Sequence, residues 1–209
     1  VGLDNTYLQS AIDFCLLQPH DTVPPNLDPA AITPYQGPYA LPFDQGDVCL
    51  NVDEDGLNET ERTMPTDLWE LTNEEWNGKT AFPSPVTSSP GRAFMIATID
   101  YFENDDNATT DAFDWWSAMA ENQARFTTGW TEAYEIHYSG GYGEYVEGHI
   151  GDALLTVSYC HSPGVEAYFG GNSTHSTSIT IERSTFHQVE YAGITNGAEN
   201  VDGANAFLS

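Results

Sequence analysis

Segments that fit β-strands alternate along the chain with segments that fit α-helices, and this alternation limits the possible folds more than any other feature. Residues 48–52 alternate between apolar and polar side chains, and residues 153–159 are apolar enough to form a buried strand. Between them, residues 87–102 and residues 110–123 each have the length and periodicity of a helix. The second helix is predicted to bury a face that carries Phe113, Trp116, Met119 and Ala120. Strands that alternate with helices are typical of an α/β fold, here with a mainly parallel sheet.

The composition is strongly acidic, with 5 lysines and arginines against 32 aspartates and glutamates and a net charge of −27 at pH 7. Such a charge repels phosphate backbones and anionic membranes, which argues against nucleic-acid binding, and it attracts cationic ligands. The hydrophobic content of 40% is too high for a disordered acidic chain. We interpret the chain as a folded protein adapted to high salt, where counterions screen its self-repulsion. An ordinary acidic secreted protein is the alternative.

Three cysteines, Cys15, Cys49 and Cys160, leave the redox state open. No C-x-x-C motif is present, and an odd number of cysteines cannot form a complete disulfide framework. Either one disulfide forms and one thiol stays free, or all three thiols are buried.

The sequence resembles the interior of a longer extracellular protein. Glycosylation sequons begin at Asn58, Asn107 and Asn172, which permits a location outside the cell. No signal peptide, lipid-anchor motif or transmembrane segment is recognisable. The chain starts at Val1 and stops within the helix-like segment 204–208, so we expect it to be cut at both ends.

The segment Thr87-Ser88-Ser89-Pro90-Gly91 lies where a predicted strand gives way to a helix. Ser89 suits the N-cap of that helix, and Pro90 suits the first helical position. The N–H groups at a helix start bind anions, and Gly91 would let a ligand approach the backbone closely. A plain cap and turn is the alternative interpretation of the same residues.

Trp130, Tyr159 and Ser162 lie in two further segments next to strand ends or helix starts. Trp130 precedes a predicted helix and either anchors that helix in the core or forms a flat wall of a pocket. Tyr159 and Ser162 come at and after the end of the buried strand at 153–159, at the carboxyl edge of the sheet. Ligands of α/β proteins bind at that edge, so the position of these segments indicates a binding site there.

Five short segments in matching order and spacing resemble the thiamine-binding periplasmic proteins of ABC transporters. They are residues 2–5 (GLDN), 42–46 (PFDQG), 88–91 (SSPG), 129–134 (GWTEAY) and 158–163 (SYCHSP). The resemblance covers nearly the whole chain. It implies a type II periplasmic-binding-protein fold, an α/β architecture in which two lobes joined by crossing strands enclose a ligand cleft. It also implies that residues 1–54 are a partial lobe 1 with the first crossing segment, that residues 55–182 are a complete lobe 2, and that residues 183–209 return into lobe 1.

The resemblance implies transport rather than catalysis. The chain would be the solute-binding component of an ABC importer, a monomer that binds thiamine or a thiamine phosphate, needs no cofactor and delivers its ligand to a membrane permease. It would be extracellular, at the cell surface, held by a lipid or membrane anchor in a missing N-terminal segment.

The family motifs also imply contacts for individual residues. Thr87, Ser88 and Ser89 would hold a phosphate or hydroxyl group of the ligand. Trp130 and Tyr159 would stack on its aromatic rings, since a desolvated cation–π contact to a thiazolium is worth about 2 kcal/mol. The other ligand-binding residues would be Asp4, Gly91 and Ser162.

Two alternatives come from related proteins. Thiamine-cleaving enzymes resemble these binding proteins in fold and use a nucleophilic cysteine, for which Cys49 and Cys160 are the candidates. Other type II proteins bind ferric ions through neighbouring tyrosines, and this chain has a cluster at Tyr138, Tyr142 and Tyr145. Its histidines, however, show no close ligand spacing. The family often has a second stacking tyrosine where this chain has Val165, so a related aromatic or phosphorylated solute stays open.

Overall fold

The computed structural model describes residues 2–27, 38–104, 110–141 and 148–209. Four residues named above lie outside these ranges, namely Val1, Asn107, Tyr142 and Tyr145. The chain divides into two compact units, of which unit 1 comprises residues 1–46 and 188–209 and unit 2 comprises residues 47–187.

Unit 1 combines antiparallel strand pairs with a small apolar core. Its elements are β1 (Gly2–Asp4), α1 (Leu8–Asp13), β2 (Leu17–Gln18), the first part of β3 (Ala40–Asp53), most of β8 (Phe186–Thr195) and α6 (Val201–Leu208). Both β1 and β2 pair with β8 in antiparallel orientation. Leu8 and Ala11 are three positions apart and therefore share the buried face of α1, where they join a core with Leu17, Val189 and Tyr191.

Unit 2 contains a mixed sheet. Among the described residues its strands follow the order β7 (Ser176–Ile179), β3, β6 (Leu155–Tyr159), β4 (Thr80–Pro83) and β5 (Arg125–Thr127). β3 runs antiparallel to β6 and β7, whereas β6, β4 and β5 run parallel to one another. The α/β class is confirmed, but the prediction of a mainly parallel sheet is wrong. An alternation of strands and helices does not encode strand direction, which depends here on how segments far apart in the chain meet.

Helices pack against this sheet and bury an aromatic core. They are α2 (Glu54–Glu59), α3 (Ser89–Glu103), α4 (Ala112–Glu121) and α5 (Ser162–Phe169), with 3-10 helices at Leu68–Thr72 and Glu74–Trp76 and a π-helix at Glu132–His137. The core includes Trp76, Phe82, Phe94, Trp115 and Met119, each at most 1% exposed.

Helix α4 buries only part of the predicted face, because Met119 is buried and Trp116 partly buried whereas Phe113 and Ala120 are exposed. Asp111 caps the helix in a capping box, and Trp115 and Met119 are then buried while Phe113 is 66% exposed. The indole N–H of Trp115 donates to the carbonyl of Leu68 at 2.7 Å, which satisfies its polar atom inside the core. Both adjacent tryptophans contact the core, and tertiary packing buries Trp115 more deeply than Trp116.

Candidate ligand-binding site

Three loops meet at one edge of the unit 2 sheet. Strands β4, β5 and β6 are parallel neighbours, so their carboxyl ends lie side by side. After these ends come Ser88 for β4, Trp130 for β5, and Tyr159 as the last residue of β6. The structure therefore brings together the three segments that the sequence analysis placed at strand ends, at the edge where ligands of α/β proteins bind.

Hydrogen bonds join the loops after β4 and β5. The N–H of Ser84 donates to the carbonyl of Thr127 at 3.0 Å, and the hydroxyl of Thr87 donates to the carbonyl of Thr128 at 2.5 Å. Thr87 is exposed, but its hydroxyl proton is already used in this contact. The contact holds the Ser88 and Trp130 loops together.

Trp130 combines packing with accessibility. Its indole N–H donates to the hydroxyl of Ser158 at 2.8 Å, and its ring stacks on Tyr134 with centroids 5.0 Å apart and planes 14° apart. Tyr134 is fully buried, whereas Trp130 is half-buried. One ring face of Trp130 thus rests on the core, and part of its surface stays accessible, as a wall of a binding site requires.

Ser158 extends the contact of Trp130 to helix α5. Its hydroxyl lies 2.8 Å from that of Ser162, the first residue of α5, and both serines are buried. Tyr159 at the end of β6 is half-buried and stacks on His161, with ring centroids 5.5 Å apart. Ser162 therefore helps to orient Trp130 through Ser158, and Tyr159 supplies a second partly accessible ring.

Ser88 has a buried polar atom without a partner. It is the N-cap of α3 in place of the predicted Ser89, which is instead the first helical residue. Ser88 is only 6% exposed, yet its hydroxyl has no hydrogen-bond partner within the described ranges. A buried hydroxyl left unsatisfied costs about 1–3 kcal/mol. The hydroxyl lies at the N-terminal, positive end of a 15-residue helix, where a hydrogen-bond donor suits an anionic oxygen atom.

Gly91 is explained by packing. A Cβ atom on Gly91 would lie 2.2 Å from the carbonyl oxygen of Pro83. The first turn of α3 thus approaches the end of β4 more closely than any side chain would allow. This contact is a packing reason for glycine at this position, and the role of Gly91 as a ligand contact stays a prediction.

A buried carboxylate that the sequence analysis did not single out supports the Trp130 stack. The hydroxyl of Tyr134 donates to Glu166, and the hydroxyl of Thr174 donates to the other oxygen of Glu166 at 2.9 Å. Burial raises the pKa of Glu166 above its usual value despite these hydrogen bonds. Tyr134 and Glu166 are 32 positions apart, so no local pattern could have paired them.

A second buried carboxylate, that of Asp53, links three segments of unit 2. It accepts from the N–H of Gly56 in α2 at 3.0 Å and from the hydroxyl of Ser139 at 2.5 Å, and it lies 2.7 Å from Nδ1 of His175. Burial by itself raises the pKa of Asp53, but the hydrogen bonds outweigh it and the pKa lies below its usual value. Burial lowers the pKa of His175, but the hydrogen bond and charge of Asp53 outweigh it and raise that pKa. Asp53 and His175 therefore form a charge-assisted pair.

Asp4 belongs to unit 1. It is buried at the end of β1, where its carboxylate accepts from the N–H of Thr6 at 2.7 Å and also from the hydroxyl of Thr6. These bonds close the turn that leads into α1. Its role as a ligand contact stays a prediction.

The cysteines form one disulfide. Cys49 and Cys160 are bonded, with Cα atoms 5.0 Å apart, and Cys15 is a free, exposed cysteine. Of the two possibilities that the sequence leaves open, one bridge and one free thiol is correct. A cysteine in a disulfide has no thiolate, so neither Cys49 nor Cys160 is available as the nucleophile of a thiamine-cleaving enzyme.

Two further features, a metal site and a membrane-spanning helix, are not found in the described part of the chain. Within it, no three histidine, cysteine, aspartate or glutamate residues are grouped to hold a metal ion. In the same residues, no helix has the length and apolar character needed to cross a membrane. A cavity of about 600 Å³ in unit 1 is lined mainly by apolar residues such as Pro42, Phe43 and Phe207, and by none of the predicted ligand-binding residues.

Comparison with known proteins identifies the family. Residues 2–208 match the family described as bacterial extracellular solute-binding protein, so the chain belongs to that family. One relative is the thiamine-binding periplasmic protein of Escherichia coli (strain K12), which is 24% identical over 168 residues, or 80% of this chain and 45% of that protein. The chain spans about half the length of the relatives that it matches.

Solved structures share the fold. A periplasmic thiamin binding protein has a TM-score of 0.74 at 23% identity, over 99% of this chain and 57% of that chain. The periplasmic binding protein AfuA from Actinobacillus pleuropneumoniae, with exogenous fructose-6-phosphate bound, has a TM-score of 0.67 at 18% identity, over 100% of this chain and 62% of that chain. These likenesses confirm the predicted fold class, that of periplasmic binding proteins. The family and these neighbours are solute-binding proteins rather than enzymes.

Proposed function

We propose that the chain is part of the solute-binding component of an ABC importer and that it binds thiamine or a thiamine phosphate. One observation carries the proposal: an accessible aromatic surface at Trp130 and an unpartnered buried hydroxyl at Ser88 follow the ends of two neighbouring parallel strands. The two features match the two ends of a thiamine phosphate, an aromatic cation and an anion.

The aromatic residues suit the cationic end of the ligand. The ring of Trp130 is backed by Tyr134 and keeps an accessible part, and Tyr159 offers a second ring. A thiazolium ring on the electron-rich face of tryptophan gains about 2 kcal/mol when it is desolvated. The net charge of −27 adds a long-range attraction for cations.

The start of α3 suits the anionic end. An oxygen of a phosphate would accept a hydrogen bond from the hydroxyl of Ser88 and would lie at the positive end of the helix. The phosphate would thereby remove the cost of leaving that hydroxyl unsatisfied. This position gives phosphorylated thiamine an advantage over thiamine itself.

A second candidate is a related aromatic or phosphorylated solute. Val165 is exposed on α5 at the position where the resembling family often has a stacking tyrosine. The similarity to the thiamine-binding periplasmic protein of Escherichia coli supports thiamine as the solute. AfuA, however, has a similar fold and was solved with a sugar phosphate, so the fold alone does not identify the solute.

The location and partners belong to the same proposal. The protein would lie outside the cell, anchored at the surface by a lipid or a membrane segment, and would act as a monomer that delivers its ligand to a permease. In this proposal unit 2 corresponds to the complete lobe predicted at residues 55–182, and unit 1 to the partial lobe.

Calorimetric titration in molar salt with thiamine, thiamine monophosphate and thiamine diphosphate tests the proposal. We expect binding, with the ligand recovered intact afterwards. Trp130→Ala should lower the affinity for each of the three ligands about 30-fold, the equivalent of about 2 kcal/mol. Ser88→Ala should lower the affinity for the phosphorylated ligands alone, by about tenfold.

Phe113→Ala is the matched control for the tryptophan variant, because Phe113 is an exposed aromatic residue on α4, outside the site. It should leave every affinity unchanged. Failure of all three ligands to bind would contradict the thiamine assignment. Cleaved thiamine in the recovered samples would favour an enzyme instead.

A further inference from the structure

We propose that the Cys49–Cys160 disulfide is a positioning element of the solute site, because it restrains the segment that carries Tyr159 and Ser162. The inference rests on the proposed function, in which Tyr159 stacks on the solute and Ser162 orients Trp130. It gives the disulfide a role in affinity that is separate from its role in stability.

The disulfide crosses the last residue pair between β3 and β6. Cys49 is within β3 opposite Ser158, and the pairing ends where Val48 faces Tyr159. Cys160 is the next residue of the chain, and its Cα atom lies 5.0 Å from that of Cys49. The bond therefore runs diagonally and restrains the first residue after the chain leaves the sheet.

The strands do not need this bond for their register. Five consecutive pairs between residues 48–52 and residues 155–159 already set it. Beyond the last pair, the N–H of Cys160 donates to the carbonyl of Asp47 at 2.9 Å, and the carbonyl of Cys160 accepts from the hydroxyl of Ser178 at 2.8 Å. The disulfide adds a covalent limit on the distance between Cys160 and β3.

A displacement of Cys160 would change the positions of both aromatic residues of the site, Tyr159 and Trp130. Tyr159 precedes it directly. Ser162 follows two positions later, and its hydroxyl lies 2.8 Å from that of Ser158, which accepts the hydrogen bond of Trp130. A shift of Cys160 would therefore move the ring of Tyr159 and disturb the group that orients Trp130.

Reversible reduction tests the inference in a Cys15→Ser background, which excludes exchange with the exposed thiol. Dithiothreitol transfers two electrons to the disulfide and leaves two protein thiols, while its own two thiols close into a disulfide. We expect the affinity for thiamine to fall by about tenfold or more on reduction and to recover on reoxidation. The double variant Cys49→Ala/Cys160→Ala should show the same loss. Hydrogen exchange of the amides of residues 160–162 and 164 should accelerate in both cases, and that of α3 should not.

Leu57→Ala is the matched control for lost stability, because Leu57 is buried in the core of unit 2 on helix α2. It should keep the original affinity at a temperature where it is folded. An unchanged affinity in the double variant, or an equal loss in Leu57→Ala, would overturn the inference. If the oxidised protein binds no thiamine compound, the proposed function fails. The hydrogen-exchange rates then become the sole test of whether the disulfide positions this segment. Faster exchange at residues 160–162 and 164 would then support the positioning role, and unchanged exchange would overturn it.

Discussion

The indole N–H of Trp130, in the loop after β5, donates across 2.8 Å to the hydroxyl of Ser158, the penultimate residue of β6. The same ring stacks on Tyr134, so it is held along one edge and on one face. These two contacts determine the angle at which the accessible part of Trp130 meets a solute.

Removing the acceptor should loosen the ring. In Ser158→Ala the indole N–H of Trp130 loses its partner, and we expect the affinity for thiamine to fall about fivefold, the equivalent of about 1 kcal/mol. Titration of tryptophan fluorescence measures this change. Ser117→Ala removes an exposed hydroxyl from α4 and should have no effect. Equal affinities of the two variants would show that Ser158 does not orient the ring.

The Asp53–His175 pair should make stability depend on pH. The pKa of Asp53 is lowered, so its contribution is present above pH 3.8 and is lost as the pH falls through the folded-state pKa. The pKa of His175 is raised, so its contribution is present below pH 6.5 and is lost as the pH rises through the folded-state pKa. At pH 5, His175→Ala should lower the free energy of unfolding by about 1 kcal/mol more than at pH 9, after allowance for solvent screening.

Denaturant titrations at both pH values measure this difference. His187→Ala is the matched control, because Nδ1 of His187 lies 2.7 Å from Asp47 but the two side chains are 60% and 55% exposed. It should change stability little at either pH. A loss in His175→Ala that is the same at pH 5 and pH 9 would indicate lost packing rather than a lost charge pair.

Gly91→Ala should destabilise the protein by about 1–3 kcal/mol, because the added Cβ would overlap the carbonyl oxygen of Pro83 and force α3 away from β4. Gly164→Ala in α5 meets no atom within 4 Å and should be neutral or stabilising. Urea unfolding of both variants gives the comparison. A stable Gly91→Ala protein that loses only ligand binding would instead support a direct contact between Gly91 and the ligand.

Salt should stabilise the protein if its acidity is an adaptation to high salt, as we propose. With a net charge of −27, self-repulsion is strong at low ionic strength and is screened in molar salt, where the Debye length is about 3 Å. We expect Tm to rise steadily from 0.1 M to 2 M potassium chloride. Chloride is preferred to sulfate because sulfate stabilises most proteins by exclusion from their surface. A flat response of Tm would favour an ordinary acidic secreted protein.

Local patterns in the sequence predicted most of the elements that carry the site. The alternation at 48–52 marks the end of β3, the apolar run at 153–159 contains β6, and Pro90 with its neighbouring serines marks the start of α3. These features depend on residues within one or two turns of each other. The sequence therefore also predicted that Ser88, Trp130 and Tyr159 lie next to strand ends or helix starts.

Tertiary structure decided the features that depend on contacts between residues far apart in the chain. It set β3 antiparallel to β6, paired Cys49 with Cys160 across 111 positions, and placed Glu166 against Tyr134. None of these pairs produces a periodic pattern, because the partners lie far apart in the chain. Gly91 makes the same point locally, since the approach of α3 to β4 excludes a side chain there and no local pattern reveals it. The amino-acid sequence thus determined the elements and the edge that they share, and the packing of the chain decided strand direction, disulfide pairing and the buried contacts that orient Trp130.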